Sequence, residues 1–154
     1  MTDQDDIRDL CFTYTYHLDD GEFDAVGELL ADAVLRPTMA GVVGEDIRGA
    51  EAITSFYRDQ VVTYSRGRPM TRHLITNQII RLDETGTKAR STAYFTVLQR
   101  VPGQEYHVVV GGRYNDEFVK VDGAWRFSVK NIVAEHFNDI GNHFRISDER
   151  AARP

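Results

Sequence analysis

The sequence predicts an α+β domain, three helices followed by a strongly curved antiparallel sheet that wraps around them. Three observations carry that expectation. Apolar residues recur at helical spacing as far as Val62, the pattern changes to long β-rich runs from Met70 onward, and short turn signals separate those runs.

The opening helix is read from Ile7, Leu10, Cys11, Tyr14 and Leu18, which share a face while Asp6 and Asp9 fall on others, and Gly21 ends it. A second, short helix runs through Phe23, Val26, Leu29 and Leu30. Residues 33–37 then read as a strand that Pro37 limits or places at an edge, with residues 42–47 as its return. Gly49 opens a third helix carrying Ile53, Phe56, Tyr57, Val61 and Val62. Four long strands follow, over 71–82, 88–101, 106–121 and 125–137, separated by Asp83-Glu84-Thr85-Gly86, Pro102-Gly103 and Asp122-Gly123. Gly111-Gly112 inside the third of these fits a bulge that bends the sheet, because no phosphate-loop spacing surrounds it. The polar, charged stretch 142–154 is expected to fray or to act as a flap beyond a single domain spanning 1–141.

A chain of 154 residues, 42% of them hydrophobic, makes one domain with enough apolar surface for a sizeable core and an internal cavity. The net charge of -6, with no Lys/Arg cluster, argues against a nucleic-acid partner. The single Cys11 lies on the apolar helix face and reads as a buried thiol in a reducing compartment. The acidic start lacks the regions of a signal peptide, and no apolar run is long enough to span a bilayer. The expected location is the cytoplasm, without a membrane partner.

Three residues stand out as candidate chemistry. Asp19 closes the opening helix, His73 heads the first long strand, and Tyr14 sits on the helix's apolar stripe. A carboxylate that holds an imidazole in one tautomer makes it a better base near neutral pH, with no metal required. Each residue also has a plain structural reading. Asp19-x-x-Glu22 has the spacing of a helix cap, Asp20 competes for the same register, a histidine at a strand head is commonly half-buried and satisfied, and a tyrosine on an apolar stripe is core. Asn77 shares the face of His73 on a period of two and so is a candidate for substrate binding. His17, His107, His136 and His143 lack metal-ligand spacing, and no serine elbow or cysteine–histidine signature is present, so neither metal nor cofactor is expected.

The order of elements, the Leu18-Asp19-Asp20-Gly21-Glu22-Phe23 corner, the Gly111-Gly112-Arg113-Tyr114 strand and the Asp122-Gly123-Ala124-Trp125-Arg126-Phe127 turn resemble the nuclear transport factor 2-like superfamily. Within it the chain is most similar to the SnoaL-like group, over about residues 5–138. The resemblance implies a cone-shaped barrel around a cavity. It also implies kinship with cofactor-free lyases of the scytalone dehydratase, bile acid 7α-dehydratase and hexachlorocyclohexane dehydrochlorinase type. In such enzymes an Asp ends the first helix and a His heads the strand after the third helix, positions that Asp19 and His73 match. The bile acid enzyme's Tyr, five residues before its Asp, falls on Tyr14. A basic residue five positions beyond the strand Trp, usually Arg, falls on Lys130, and Lys offers a point charge where Arg offers a planar fork. By strand alternation Lys130 shares a face with Arg126, Ser128 and Ile132, opposite Trp125, Phe127 and Val129. It either meets the cavity, as an ammonium for an oxyanion or leaving group, or meets solvent.

The expectation is a cofactor-independent lyase, dehydratase or dehydrohalogenase, acting on a small apolar or cyclic molecule. The same group includes isomerases, polyketide cyclases and noncatalytic subunits, so an isomerase or cyclase in the same cavity, or a ligand-binding module or small oxygenase subunit, stands beside it. A homo-oligomer, dimer or trimer, is expected through the outer face of the sheet.

Overall fold

In the computed structural model, which describes residues 1–145, helix α1 (Asp3–Asp20) opens with a reciprocal cap. Thr2 accepts the Asp5 backbone N–H, while the Asp5 carboxylate accepts that of Thr2. The helix ends at Gly21, whose φ of 75° lies in the left-handed region glycine favours. Helices α2 (Phe23–Leu29) and α3 (Ala50–Gln60) pack against each other, and between them run β1 (Val34–Met39), β2 (Val42–Val43) and β3 (Ile47–Arg48). The long strands are β4 (Thr71–Leu82), β5 (Lys88–Gln99), β6 (His107–Val121) and β7 (Ala124–Phe137).

The strand order is β2-β1-β7-β6-β5-β4, with β3 also paired to β1. The α+β arrangement stands as read, with two details added. Strand β1 runs parallel to β7, Val34 lying beside Val129, so the sheet is mixed, and β2 and β4 are unjoined edges, so it is not closed. No turn links β1 to β7, so nothing in the local sequence dictates the direction of that pairing. The return after Pro37 is likewise two short strands. β3 pairs with Val34 and Leu35, β2 with Thr38 and Met39, and Pro37 falls in the gap between them.

The apolar stripe of α1 (Ile7, Cys11, Tyr14 and Leu18) lies buried against Phe95, Val97, Tyr114, Phe118 and Phe127 from the inner face of the sheet. Register shifts bend that sheet. One falls between Gly111 and Gly112, where the sequence placed it, and an added Cβ at Gly112 would stand 2.0 Å from the Val133 carbonyl oxygen. Others fall between Thr76 and Ile79 on β4 and opposite Glu117 and Phe118 on β7. Each reverses which side chains point inward.

Residues 142–145 are docked. Phe144 forms an isolated bridge with Val61, Val62 N–H donates to the His143 carbonyl at 2.8 Å, and Arg145 N–H donates to the Gln60 carbonyl at 2.7 Å. The remainder of the expected tail, 146–154, lies outside the described residues. No helix among the described residues is long and apolar enough to cross a membrane.

Candidate active site

A cavity of about 90 Å³ opens between the inner face of the sheet, α1, α3 and the docked 140–144 segment. Its walls are mostly apolar, including Leu18, Phe56, Val97, Val110, Ile132 and Phe144, and its polar lining comes chiefly from Tyr14, Tyr57, Tyr114, His73 and His143.

Asp19 and His73 meet at this wall. The His73 ring Nδ1 is 2.6 Å from Asp19 Oδ1, the His73 backbone N–H donates to Asp19 Oδ2 at 2.9 Å, and the Thr71 hydroxyl donates to Oδ1 at 2.7 Å. Both side chains are almost wholly shielded, 6% exposed for His73 and 9% for Asp19. Burial alone would raise the Asp19 carboxyl, but the hydrogen bond and charge of His73, joined by Thr71, outweigh it and hold the carboxyl below its usual range. An ionised carboxylate has no proton to give, so Nδ1 is the donor in this contact, and in the neutral ring the lone pair belongs to Nε2. Asp19 therefore does not cap α2, which starts without a side-chain cap, and Asp20 pairs instead with Arg68 at 3.2 Å.

Tyr14 lines the cavity, and its hydroxyl lies 2.7 Å from that of Tyr57 on α3. Burial raises both phenols, so both stay neutral. Lys130 does not line the cavity. It is fully buried behind the tyrosines, its Nζ 2.9 Å from Asp116 Oδ2 and 3.3 Å and 4.4 Å from the ring centres of Tyr114 and Tyr14. The alternation expected on this strand fails because Phe118 pairs with Phe127 and Glu117 with Val129. Ser128 is the extra residue, and Phe127 and Lys130 both turn inward. Asn77 is a second correction. It is exposed, with φ 55°, at the β4 bulge, where the inward face passes from His73 and Ile75 to Gln78 and Ile80. It is not part of the cavity. Cys11 is buried and its thiol is pushed up to about 11, chiefly by burial, which leaves it unreactive.

A family model described as the SnoaL-like domain matches residues 1–131. The chain belongs to the SnoaL-like domain family. No match was found among curated proteins. Solved structures share the SnoaL-like chain's fold at low identity. A candidate scytalone dehydratase from Novosphingobium aromaticivorans is 22% identical, with 88% of this chain and 86% of that one covered and a TM-score of 0.66. The β subunit of a candidate aromatic-ring-hydroxylating dioxygenase from the same organism is 19% identical, with 88% and 90% covered and a TM-score of 0.69. ActVI-ORFA from Streptomyces coelicolor is 15% identical, with 86% and 98% covered and a TM-score of 0.68. At these identities the likeness is one of fold.

Sequence reasoning missed three polar groups of this SnoaL-like site. Tyr57 looked like a core position of the third helix, and only its contact with Tyr14 distinguishes it. Thr71, two residues before His73, was legible as a possible donor to the same carboxylate. His143 lies on the docked segment, T-shaped to His73 with ring centres 6.1 Å apart. Among the described residues no group of three or more His, Cys, Asp or Glu is placed to hold a metal ion.

Proposed function

We propose that this SnoaL-like domain is a cofactor-independent lyase in which His73 is the general base and Asp19 its orienting partner. The observation that supports it is the 2.6 Å contact between Asp19 and the His73 ring at the wall of a mostly apolar cavity. A small substrate in that cavity presents a C–H to His73 Nε2. The proton passes to Nε2, the C–H electron pair becomes a carbon–carbon double bond, and the bond to a hydroxyl or halide on the next carbon breaks, its pair leaving with that group. Asp19 stabilises the imidazolium through Nδ1–H. The proton is then returned to a departing hydroxide, making water, or is lost to solvent. The neutral Tyr14–Tyr57 pair supplies a hydroxyl donor to the substrate.

Isomerisation or aldol cyclisation would begin with the same proton abstraction, and the mass of the product separates them from elimination. The test is a panel of small cyclic β-hydroxy carbonyl compounds and halides followed by mass spectrometry. Loss of water or HX with the wild type and none with His73→Ala supports the lyase; an unchanged mass with a rearranged product moves the assignment to isomerase, and no conversion by any member counts for the noncatalytic reading. The outer sheet face, exposing Leu74, Tyr94 and Val108, is the surface we assign to homo-oligomerisation.

A further inference from the structure

His143 is the one buried histidine of the cavity that the base mechanism leaves without a task. It is 7% exposed, lines the same cavity as His73, and its Nδ1 is buried with no hydrogen-bond partner among the described residues. A buried polar atom without a partner costs about 1–3 kcal/mol, so a chain that keeps one in a wall of the site has reason to satisfy it when the site is occupied.

The backbone that carries the ring is also held in place. Residues 140–142 form a single 3-10 turn, and the His143 N–H donates to the Ile140 carbonyl at 2.9 Å. The Asn142 carbonyl accepts from the Tyr64 hydroxyl at 2.6 Å and from Gln99 Nε2 at 3.0 Å. Beyond it, Arg145 Nη1 donates to the Asp59 carbonyl at 2.7 Å, near the C-terminal end of α3. These bonds fix the backbone on both sides of the imidazole, as a positioned contact to a ligand requires.

We infer that His143 is a substrate-positioning residue whose ring N–H donates to an oxygen of the substrate, next to the carbon whose proton His73 removes, so that the substrate is a hydroxy or carbonyl compound and not an alkyl halide. With ring centres 6.1 Å apart and ring planes at 67°, the two imidazoles can address neighbouring atoms of one small molecule. A carbonyl or hydroxyl oxygen accepts an N–H well, whereas chlorine or carbon would leave the imidazole unpaired in an apolar wall. A neutral imidazole serves here as a donor, a role in which it polarises a carbonyl without giving up its proton. The Tyr14–Tyr57 contact uses one of the two hydroxyl hydrogens and leaves the pair a single O–H to give, so His143 is a separate, second donor. This deepens the lyase reading and rests on it for the identity of the proton removed.

The test is binding, with no turnover needed. Calorimetric titration of the full chain with cyclohexanone, methylenecyclohexane and chlorocyclohexane compares ligands of similar size that present oxygen, carbon or chlorine. We expect the wild type to bind cyclohexanone about tenfold more tightly than the other two, a preference lost in His143→Phe, partly kept in His143→Gln, which retains an N–H donor, and kept in His73→Asn. Equal affinity for the three, no binding of any, or an unchanged preference in His143→Phe overturns the assignment. If His143→Phe does not fold, the ring nitrogen shifts of His143 in the wild type decide it, since their failure to move with cyclohexanone also overturns it. A kept oxygen preference in a protein inactive on the whole panel refutes the lyase and leaves the positioning role. Turnover that depends on His73 but not on His143 does the reverse.

Discussion

Asp19 grips His73 twice, one carboxylate oxygen accepting the ring Nδ1–H and the other accepting the backbone N–H of the same residue. The carboxylate therefore sets both where the strand head sits and which way its ring turns. Replacing it with an amide of the same shape exchanges one acceptor oxygen for a donor NH2, which cannot serve both contacts.

Asp19→Asn is expected to lower turnover about 10²–10⁴-fold, the range of general acid–base catalysis, with His73→Ala at least as severe and both proteins folded by circular dichroism. Steady-state assay on the compound that converts in the elimination panel checks this. Activity within threefold of wild type in either variant would remove the pair from the mechanism.

Lys130→Met is expected to cost about 3–5 kcal/mol of stability, because it strands Asp116 without its partner in a fully buried site. Lys130→Met with Asp116→Leu should recover much of that loss. Urea unfolding of the single and double variants measures it, and a single variant as stable as wild type would contradict the buried pairing.

Burial, and then the neighbouring charge of His73, pull the His143 imidazole down to about 3 from its ordinary 6.5. The unfolded chain takes up this proton below 6.5 while the folded chain resists it until about 3. The His143 contribution is thus fully present above 6.5 and falls as pH drops through that window, at ~1.4 kcal/mol per pH unit at most. Asp19, also held low, adds its loss only below its ordinary 3.8, and Asp116, raised mainly by burial, acts in the opposite sense. Comparing the pH dependence of urea midpoints for wild type and His143→Gln isolates the histidine: the variant should be flatter between pH 6.5 and 4.5, and parallel curves would show that His143 titrates normally.

Gly112→Ala should destabilise by more than ~1 kcal/mol, since its Cβ would meet the backbone oxygen of Val133 and the backbone can move only by opening the β6–β7 pairing. Gly41→Ala, with nothing near its Cβ, is a comparison for left-handed strain alone, as its φ is 79°. Thermal melts of the two separate packing from strain, and a Gly112→Ala protein that melts with the wild type would show that the sheet yields at this bend.

The parts of the site legible in the sequence are those fixed by local signals. The end of α1 is marked by Gly21 and the head of β4 by the change of period after Met70, so Asp19 and His73 fell into place. What failed were statements that needed alternation to persist along a strand. Asn77 and Ser128 each add one residue to a ladder, and the side chains beyond them face the other way from a strict period of two. Asp116, Tyr57 and His143 carry no local mark of their roles, because each is defined by a residue distant in sequence, Lys130, Tyr14 and His73 respectively.

The parallel pairing of β1 with β7 bears on how the chain acquires its shape during synthesis. A nascent polypeptide that has emerged as far as residue 123 possesses all three helices and three of the four long strands, yet β1 still lacks its long neighbour, since Val34 must wait for Val129. Folding is thereby weighted toward distant contacts and toward the end of translation, a topology that slows the search and leaves strand edges open to aggregation meanwhile. Chains halted on the ribosome with residue 123 just clear of the exit tunnel should be cut readily by protease, and chains with residue 145 clear of it should resist; protection already complete in the first case would mean that the sheet forms without its last strand.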